Sequence, residues 1–131
     1  MNMHWHHLAI AVRDIAAITA FYCDTLGFEI EWERPAYNGE KFSNVVGLPR
    51  AEAHVVMLQG HGVHIELFQY RNPQGCAAPE KRQCDFGYTH FALSVSNIQA
   101  CYRNLLQSGV RFNCPPQKLR TGVWATYLRD P

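Results

Sequence analysis

Two segments of the chain share one alternating pattern of apolar and polar positions. Residues 7–15 read His-Leu-Ala-Ile-Ala-Val-Arg-Asp-Ile, and residues 90–98 read His-Phe-Ala-Leu-Ser-Val-Ser-Asn-Ile. The period of two predicts a strand, because side chains alternate between the two faces of a strand. Asp14 and Asn97 follow the alternation, and Asx residues are preferred at a helix N-cap. Each segment is therefore predicted to be a strand followed by a helix.

Both predicted helices have apolar residues three and four positions apart and end before a glycine, where a left-handed residue stops a helix. The first copy has Ile15, Ile18, Tyr22 and Leu26, then Gly27, and the second has Ile98, Cys101, Tyr102, Leu105 and Leu106, then Gly109. The spacing from the histidine to the glycine differs by one residue between the two copies. This agreement predicts an internal repeat.

The first copy continues with three predicted strands, at 28–32, 53–59 and 63–70, the last two joined by a Gly-His-Gly hairpin. These elements make a βαβββ module over about residues 4–72. Between its second and third strands, the connection at about 35–50 is predicted to be a long loop that covers a pocket.

A polar linker at about 73–86 precedes the second module, at about 87–131. Besides its helix, this module has three predicted strands, at 88–95, 110–112 and 122–129. By symmetry with the first module, this sequence ends one strand short. The expected fold is α+β, a single domain over 4–131 in which paired βαβββ modules form a curled mixed sheet around a cleft.

The alternation also predicts which side chains face the cleft. His7 and His90 lie at equivalent positions turned away from the helices, and His64, Glu66 and Phe68 share one face of the strand at 63–70. A carboxylate flanked by apolar residues is costly unless it binds a cation or a proton. Two imidazole nitrogens and a carboxylate oxygen suit Zn²⁺, Ni²⁺, Fe²⁺, Mn²⁺ or Co²⁺. One such divalent ion is the expected cofactor, with His7, Glu66 and His90 as its ligands.

His64 and Phe68 are the candidate substrate contacts, because they share a strand face with Glu66. For His64 a purely structural role is the main alternative, since a histidine on a strand commonly has such a role.

Composition narrows the expected partners to small molecules. Twelve basic and eleven acidic residues leave a net charge of +1 without a basic stripe, so nucleic acid is not expected. No stretch approaches the roughly 20 apolar residues of a membrane span, and the first residues do not resemble a signal peptide, so a cytoplasmic protein without a membrane partner is expected. Five cysteines form no Cys-x-x-Cys pair, which argues against a thiolate zinc site or a disulfide framework.

Together these residues resemble the vicinal oxygen chelate superfamily, which contains glyoxalase I, fosfomycin and bleomycin resistance proteins, methylmalonyl-CoA epimerase and extradiol dioxygenases. In its members the first strand of each module provides a His, and His7 and His90 match these positions. Where the fourth strand provides a ligand, Glu66 matches it. Asp130-Pro131 match the start of an Asp-Pro-Asp-Gly turn, after which relatives carry a further Glu ligand, and the sequence stops before that position.

The resemblance implies a metal-dependent, glyoxalase-like lyase or isomerase that acts on a small molecule with vicinal oxygens. Glu66 matches a ligand position that glyoxalase I and the epimerase use and that the fosfomycin-resistance enzymes and extradiol dioxygenases omit. In the implied chemistry a carboxylate moves a proton between adjacent carbons, so Glu66 is also the candidate catalytic residue. Ala11 stands where glyoxalase I has an Arg that contacts glutathione, and glutathione is therefore not an expected substrate.

Two other functions resemble those of family members and stay open as alternatives. One is an extradiol-type, ring-cleaving dioxygenase that uses Fe²⁺ and O₂, and the other is a non-catalytic, bleomycin-resistance-like binder of small molecules. The predicted metal ligands argue against the binder, which resembles a metal-free module. Relatives with two modules of this size commonly pair, so a homodimer is expected.

Overall fold

A four-stranded mixed sheet is the centre of the first unit of the chain, Met1–Pro79. The second unit is Glu80–Pro131, and the computed structural model describes residues 1–77 and 79–131. The strands of the sheet are β1 (Leu8–Ala11), β2 (Glu29–Asn38), β3 (Glu52–Gly60) and β4 (Val63–Asn72). They lie in the order β1-β4-β3-β2, with β1 parallel to β4 and the other neighbours antiparallel. The predicted α+β fold with a mixed sheet is confirmed.

The first helix, α1, begins where the sequence predicts it. It spans Ile15–Ala20 and continues as a wider π-helical turn over Phe21–Thr25. The Asp14 carboxylate accepts a hydrogen bond from the backbone N–H of Ala17 at 3.0 Å, which satisfies a donor that the helix itself leaves unpaired. Gly27 follows the turn with a φ of 75°, a left-handed conformation that favours glycine.

The two faces of this sheet are packed differently. The face that carries α1, here called the helix face, buries the alternate strand residues Val56, Leu58, Ile65 and Leu67. The intervening positions point to the opposite face, where Ala53 and Val55 are buried in a cluster with Phe42. We call this second face the site face, and its β4 residues are His64, Glu66, Phe68 and Tyr70.

The prediction of a long loop at 35–50 is wrong. β2 continues to Asn38, and a helix, α2, occupies Glu40–Val46. This helix is short, and Phe42 is its one buried residue, so its apolar periodicity is too brief to detect in the sequence. The Phe42 ring packs over Ala53 and Val55 and thereby fixes α2 on the site face.

The second unit contains one helix and four short strands. The helix, α3, spans Ile98–Gln107, and the Asn97 side chain accepts a hydrogen bond from the N–H of Ala100 at 2.9 Å, as the repeat predicts. The strands are β5 (Arg111–Phe112), β6 (Gln117–Arg120), β7 (Val123–Ala125) and β8 (Leu128–Arg129). β5 pairs with β8 and β6 pairs with β7, both antiparallel.

The strands predicted for the second unit need correction at three points. Residues 88–95 are not in a strand, and the strand predicted at 122–129 is divided into β7 and β8, while β6 was not predicted. In the first unit β1 receives its hydrogen bonds from β4, and the described residues of the second unit contain no counterpart of β4. In the 88–95 segment, Phe91 and Val95 expose 40% and 44% of their surface.

Among the residues that the structure describes, no helix has both the length and the apolar character required to cross a membrane.

Candidate functional site

The strand register places the predicted site residues of the first unit in a common row on the site face. Ala9 of β1 lies opposite Glu66 of β4, and Ala11 lies opposite Phe68. On the other side of β4, Met57 lies opposite Glu66. Because directly opposed residues of neighbouring strands share a face, Glu66 stands between a small alanine and a buried methionine. The carboxylate is thus approached through the space above β1.

The side chains of His7 and Glu66 meet on the site face. The Nε2 atom of His7 lies 3.1 Å from Oε2 of Glu66, and their side chains are 32% and 16% exposed. The Nδ1 atom of His7 is 2.7 Å from Nδ1 of His6, so one of these rings donates a hydrogen bond to the other. With Nδ1 engaged in this way, the His7 ring turns Nε2 towards the carboxylate. The period-two pattern predicts that these two side chains share a face, and on that face their polar atoms lie 3.1 Å apart.

Burial changes the proton affinity of Glu66. Loss of solvent around the carboxyl raises the pKa of Glu66 above its ordinary value, and the nearby rings of His7 and His6 oppose this shift only in part. Burial also raises the pKa of Tyr70, and the negative charge of Glu66 raises it further. Glu66 is therefore a stronger base than a carboxylate in water.

The two candidate substrate contacts differ in their surroundings. The Nε2 atom of His64 lies 3.6 Å from Oε2 of Glu31, and its ring stacks on His6 with centroids 6.4 Å apart. Phe68 lies beside Tyr70 with nearly parallel rings, 5.6 Å apart and inclined by 12°. His64 thus has the contacts of a structural residue, whereas Phe68 presents part of its ring next to Glu66.

His90 belongs to the second unit, where both of its ring nitrogens have neighbours. Its Nδ1 atom is 2.9 Å from Oγ1 of Thr89, and its Nε2 atom is 3.4 Å from the hydroxyl of Tyr127. The rings of His90 and Tyr127 meet edge to face at 4.8 Å. The sequence did not point to Tyr127, because nothing in its local pattern separates it from an ordinary strand-end tyrosine.

The donor atoms of His7 and Glu66 suit a shared divalent ion. Ligands at ~2.0–2.2 Å from one ion lie about 3.0–3.4 Å apart when their bonds to it make ordinary angles, and the observed separation is 3.1 Å. One imidazole nitrogen and one carboxylate oxygen also match the donor types that Zn²⁺ and Mn²⁺ accept. Within residues 1–77 and 79–131, however, no group of three or more His, Cys, Asp or Glu side chains is arranged to hold a metal ion. The metal site with His90 as third ligand therefore stays a prediction.

A second histidine–glutamate pair lies on the helix face. The Nε2 atom of His54 is 2.6 Å from Oε1 of Glu33, next to a groove of about 320 Å³ that Ile15 and Val56 help to line. Nothing in the sequence indicated this pair, because an irregularity in the pairing of β2 with β3 decides which β2 residues share a face with His54. It is chemically similar to the His7–Glu66 pair but lies on the opposite face of the sheet.

Comparison with known proteins identifies the family. The sequence model of the Glyoxalase/Bleomycin resistance protein/Dioxygenase superfamily matches residues 4–131. YaeR, an uncharacterized protein of Escherichia coli, is 31% identical over 133 residues, which cover 96% of this chain and 87% of YaeR. A 2-epi-5-epi-valiolone epimerase from an Actinomyces species is 28% identical over 126 residues, which cover 89% of this chain and 66% of the epimerase.

The fold agrees with that of solved glyoxalase structures. A glyoxalase family protein from Bacillus cereus superposes with a TM-score of 0.86 at 18% identity, covering 98% of this chain and 87% of that protein. At this level of identity the likeness concerns the fold alone. Together with the sequence match over residues 4–131, it shows that the chain belongs to the Glyoxalase/Bleomycin resistance protein/Dioxygenase superfamily.

Proposed function

We propose that this protein is a metal-dependent lyase or isomerase of the glyoxalase type, acting on a small molecule with two adjacent oxygen atoms. The observation that supports it is the 3.1 Å approach of His7 Nε2 to Glu66 Oε2 on a half-buried strand face. His7 and Glu66 are the proposed ligands of one divalent ion, and His90 is the third ligand expected from the internal repeat. When bound, such an ion supplies Lewis-acid polarisation of substrate oxygens.

Glu66 is the proposed proton-transfer residue. Its side chain is only 16% exposed, and in the metal-free protein burial raises its pKa above the ordinary value, which makes it a stronger base than a carboxylate in water. The small side chain of Ala9 directly opposite leaves room for a substrate carbon beside the carboxylate. Glu66 would take a proton from one carbon of the substrate and return it to the same or the adjacent carbon.

The similarity to an epimerase favours an isomerase over a lyase within this proposal. An epimerase inverts one carbon centre, and removal and return of a proton next to a carbonyl is one general route to such an inversion. A non-catalytic binder is the second candidate, favoured by the lack of a three-residue metal-binding group among the described side chains. A dioxygenase would require iron and consumption of O₂.

Deuterium exchange tests the proposal with a panel of candidate substrates. The protein is loaded in turn with Zn²⁺, Ni²⁺, Mn²⁺, Co²⁺ or Fe²⁺ and incubated in D₂O with a series of α-hydroxy ketones and α-hydroxy acids. Proton NMR should then show loss of the C–H signal of the hydroxyl-bearing carbon next to the carbonyl or carboxyl group. Glu66→Gln should slow this exchange roughly 100-fold or more, because a positioned base contributes about that much.

Glu33→Gln is the matched control, since it makes the same change in a histidine–glutamate pair on the helix face. This variant should exchange at the wild-type rate. Equal rates in wild type and Glu66→Gln would overturn the proposal. Oxygen uptake with Fe²⁺ would indicate the dioxygenase instead, and failure to retain any of the five metals would indicate the binder.

A further inference from the structure

Three aromatic rings near Glu66 have almost the same orientation. Phe42 is inclined by 5° to Phe68 and by 9° to Tyr70, with centroids 6.5 and 6.4 Å apart. Phe68 and Tyr70 are inclined by 12° at 5.6 Å. These separations lie in the range of offset stacking, in which the faces of neighbouring rings are displaced sideways. The three centroids lie at similar distances from one another, so the rings form a cluster with one common orientation, and Phe68 is its member closest to Glu66 along β4.

The space beside Phe68 is not filled by the neighbouring strand. β1 places Ala11 opposite Phe68 and Ala9 opposite Glu66, and both alanines are exposed. On the other side of β4, Val55 and Phe42 are buried, so that side of the Phe68 ring is closed. What remains is an open space above the two exposed alanines, beside the Glu66 carboxylate and the partly exposed Phe68 ring.

The dimensions of this open space indicate the size and shape of the molecule that would fit it. Glu66 and Phe68 are two residues apart on one strand, which separates their Cα atoms by about 6.6 Å. That distance matches a molecule whose ring is joined directly, or through one carbon, to the carbons that carry its oxygens. A saturated apolar group would fit the same volume, but it would not gain from offset stacking against the Phe68 ring.

We infer that the substrate carries an aromatic ring next to its two vicinal oxygens, and that this ring stacks on Phe68 above Ala11 while the oxygens lie beside His7 and Glu66. The inference rests on the proposed function, since it takes the oxygen-binding end of the site from it. It adds the chemical class of the substrate, an aryl-substituted hydroxy acid or hydroxy ketone. Phe68 is thereby assigned the role of selecting for the ring.

Three acids test this inference, because they share the vicinal oxygens and differ only in their substituent. Lactate carries a methyl group, hexahydromandelate a cyclohexyl group and mandelate a phenyl group. Their dissociation constants are measured by amide chemical-shift titration of the zinc-loaded protein. Mandelate should bind about 2- to 10-fold more tightly than hexahydromandelate, the range expected for an aromatic pair beyond its apolar area. Lactate should bind most weakly of the three.

Variants of Phe68 separate stacking from simple apolar contact. Phe68→Leu should bring the ratio between mandelate and hexahydromandelate close to one, and Phe68→Tyr, which keeps the ring, should retain the wild-type ratio. The matched control is Phe21→Leu, the same change in a half-buried phenylalanine of the turn that ends the first helix. It should leave the ratio unchanged.

The outcomes separate this inference from the proposed function. A wild-type protein that binds mandelate no better than hexahydromandelate, or does not bind mandelate at all, overturns the inference, as does a ratio that survives Phe68→Leu. If lactate still binds equally well to wild type and to Glu66→Gln, the proposed oxygen site fails instead. Loss of lactate binding in Glu66→Gln, together with a mandelate preference that only Phe68→Leu removes, supports both.

Discussion

Replacing Glu66 by glutamine should have opposite effects on stability with and without metal. Glutamine keeps the size of the side chain and removes its charge. Because the folded protein raises the pKa of Glu66 above the ordinary value of 4.5, it binds this proton more tightly than the unfolded chain. That stabilisation is fully present below the ordinary value and is lost as the pH rises through the raised pKa. At pH 8 the buried charge therefore opposes folding, and Glu66→Gln should raise the melting temperature in metal-free buffer.

With metal the sign should reverse. At a free metal concentration 100 times the wild-type Kd, binding stabilises the folded state by about 2.7 kcal/mol. For a chain of 131 residues this corresponds to a rise of roughly 10 °C, at about 3–5 °C per kcal/mol. Loss of a residue that only hydrogen-bonds to a metal ligand weakens metal affinity by ~10–100-fold, and loss of a ligand should weaken metal affinity at least as much. The metal-induced rise in Glu66→Gln should then be about 5 °C or less.

Thermal melts followed by circular dichroism measure both effects. Wild type, Glu66→Gln and the control Glu33→Gln are melted at pH 8, each with a chelator and with metal. Glu33→Gln should keep the full metal-induced rise, because its partner His54, at 2.6 Å, lies on the helix face. An equal metal-induced rise in Glu66→Gln and wild type would refute the assignment of Glu66 as a ligand. If Glu66→Gln melts at a lower temperature than wild type in chelator, the stabilisation predicted from the raised pKa of Glu66 is refuted.

Three further predictions concern the fold that supports the site. Asp14→Ala removes the N-cap hydrogen bond and should lower the free energy of unfolding by about 1 kcal/mol in urea titrations, and an unchanged midpoint would contradict this. Leu67→Ala, at a fully buried position, should lower the free energy of unfolding by ~2–5 kcal/mol in the same assay. Leu119→Ala, at a position that is 70% exposed, should change it by no more than about 0.5 kcal/mol, and similar losses in the two variants would refute the assignment of Leu67 to the core. Burial is the main cause that raises the pKa of the Cys23 thiol, and two neighbouring carboxylates raise it further. Iodoacetamide at pH 8 should therefore modify the exposed Cys114 well before Cys23, as followed by mass spectrometry, and the reverse order would contradict this prediction.

The elements that could be predicted from the sequence are those with local signals. Asp14 and Asn97 accept hydrogen bonds from the N–H groups three residues on, as their position before the helices predicts. Period-two alternation along 63–70 correctly separated buried Ile65 and Leu67 from Glu66. Caps and alternation act within a few residues of the chain, so one sequence carries the information needed to find them.

The elements that were missed depend on contacts between distant residues. β2 contains irregularities in its pairing with β3, one of them between Ile30 and Trp32. Ile30 lies opposite Leu58 on the helix face, whereas Trp32 lies opposite Met57 on the site face, although two residues of one strand normally share a face. The sequence does not reveal such a shift, and for that reason it did not reveal which β2 residues meet the site.

The site was predictable only in part for the same reason. His7 and Glu66 meet because alternation on two strands directs both to one face, and alternation can be seen in the sequence. The 88–95 segment around His90 was predicted to be a strand from an equally good pattern, yet a strand also requires a neighbour with which to exchange hydrogen bonds. A repeated pattern thus predicts an element's preference, and its pairing decides whether the element forms.

X-ray absorption spectroscopy of the metal-loaded protein tests the central claim most directly. Spectra of wild type, His7→Ala, His90→Ala and Glu66→Gln report the number and type of atoms bound to the ion. We predict two imidazoles and a carboxylate oxygen at ~2.0–2.2 Å in wild type, and one imidazole fewer in each histidine variant. Glu66→Gln should keep both imidazoles and lose the carboxylate oxygen. Sulfur ligands at about 2.3 Å, or an unchanged imidazole count in His7→Ala and His90→Ala, would contradict the assignment of this metal site.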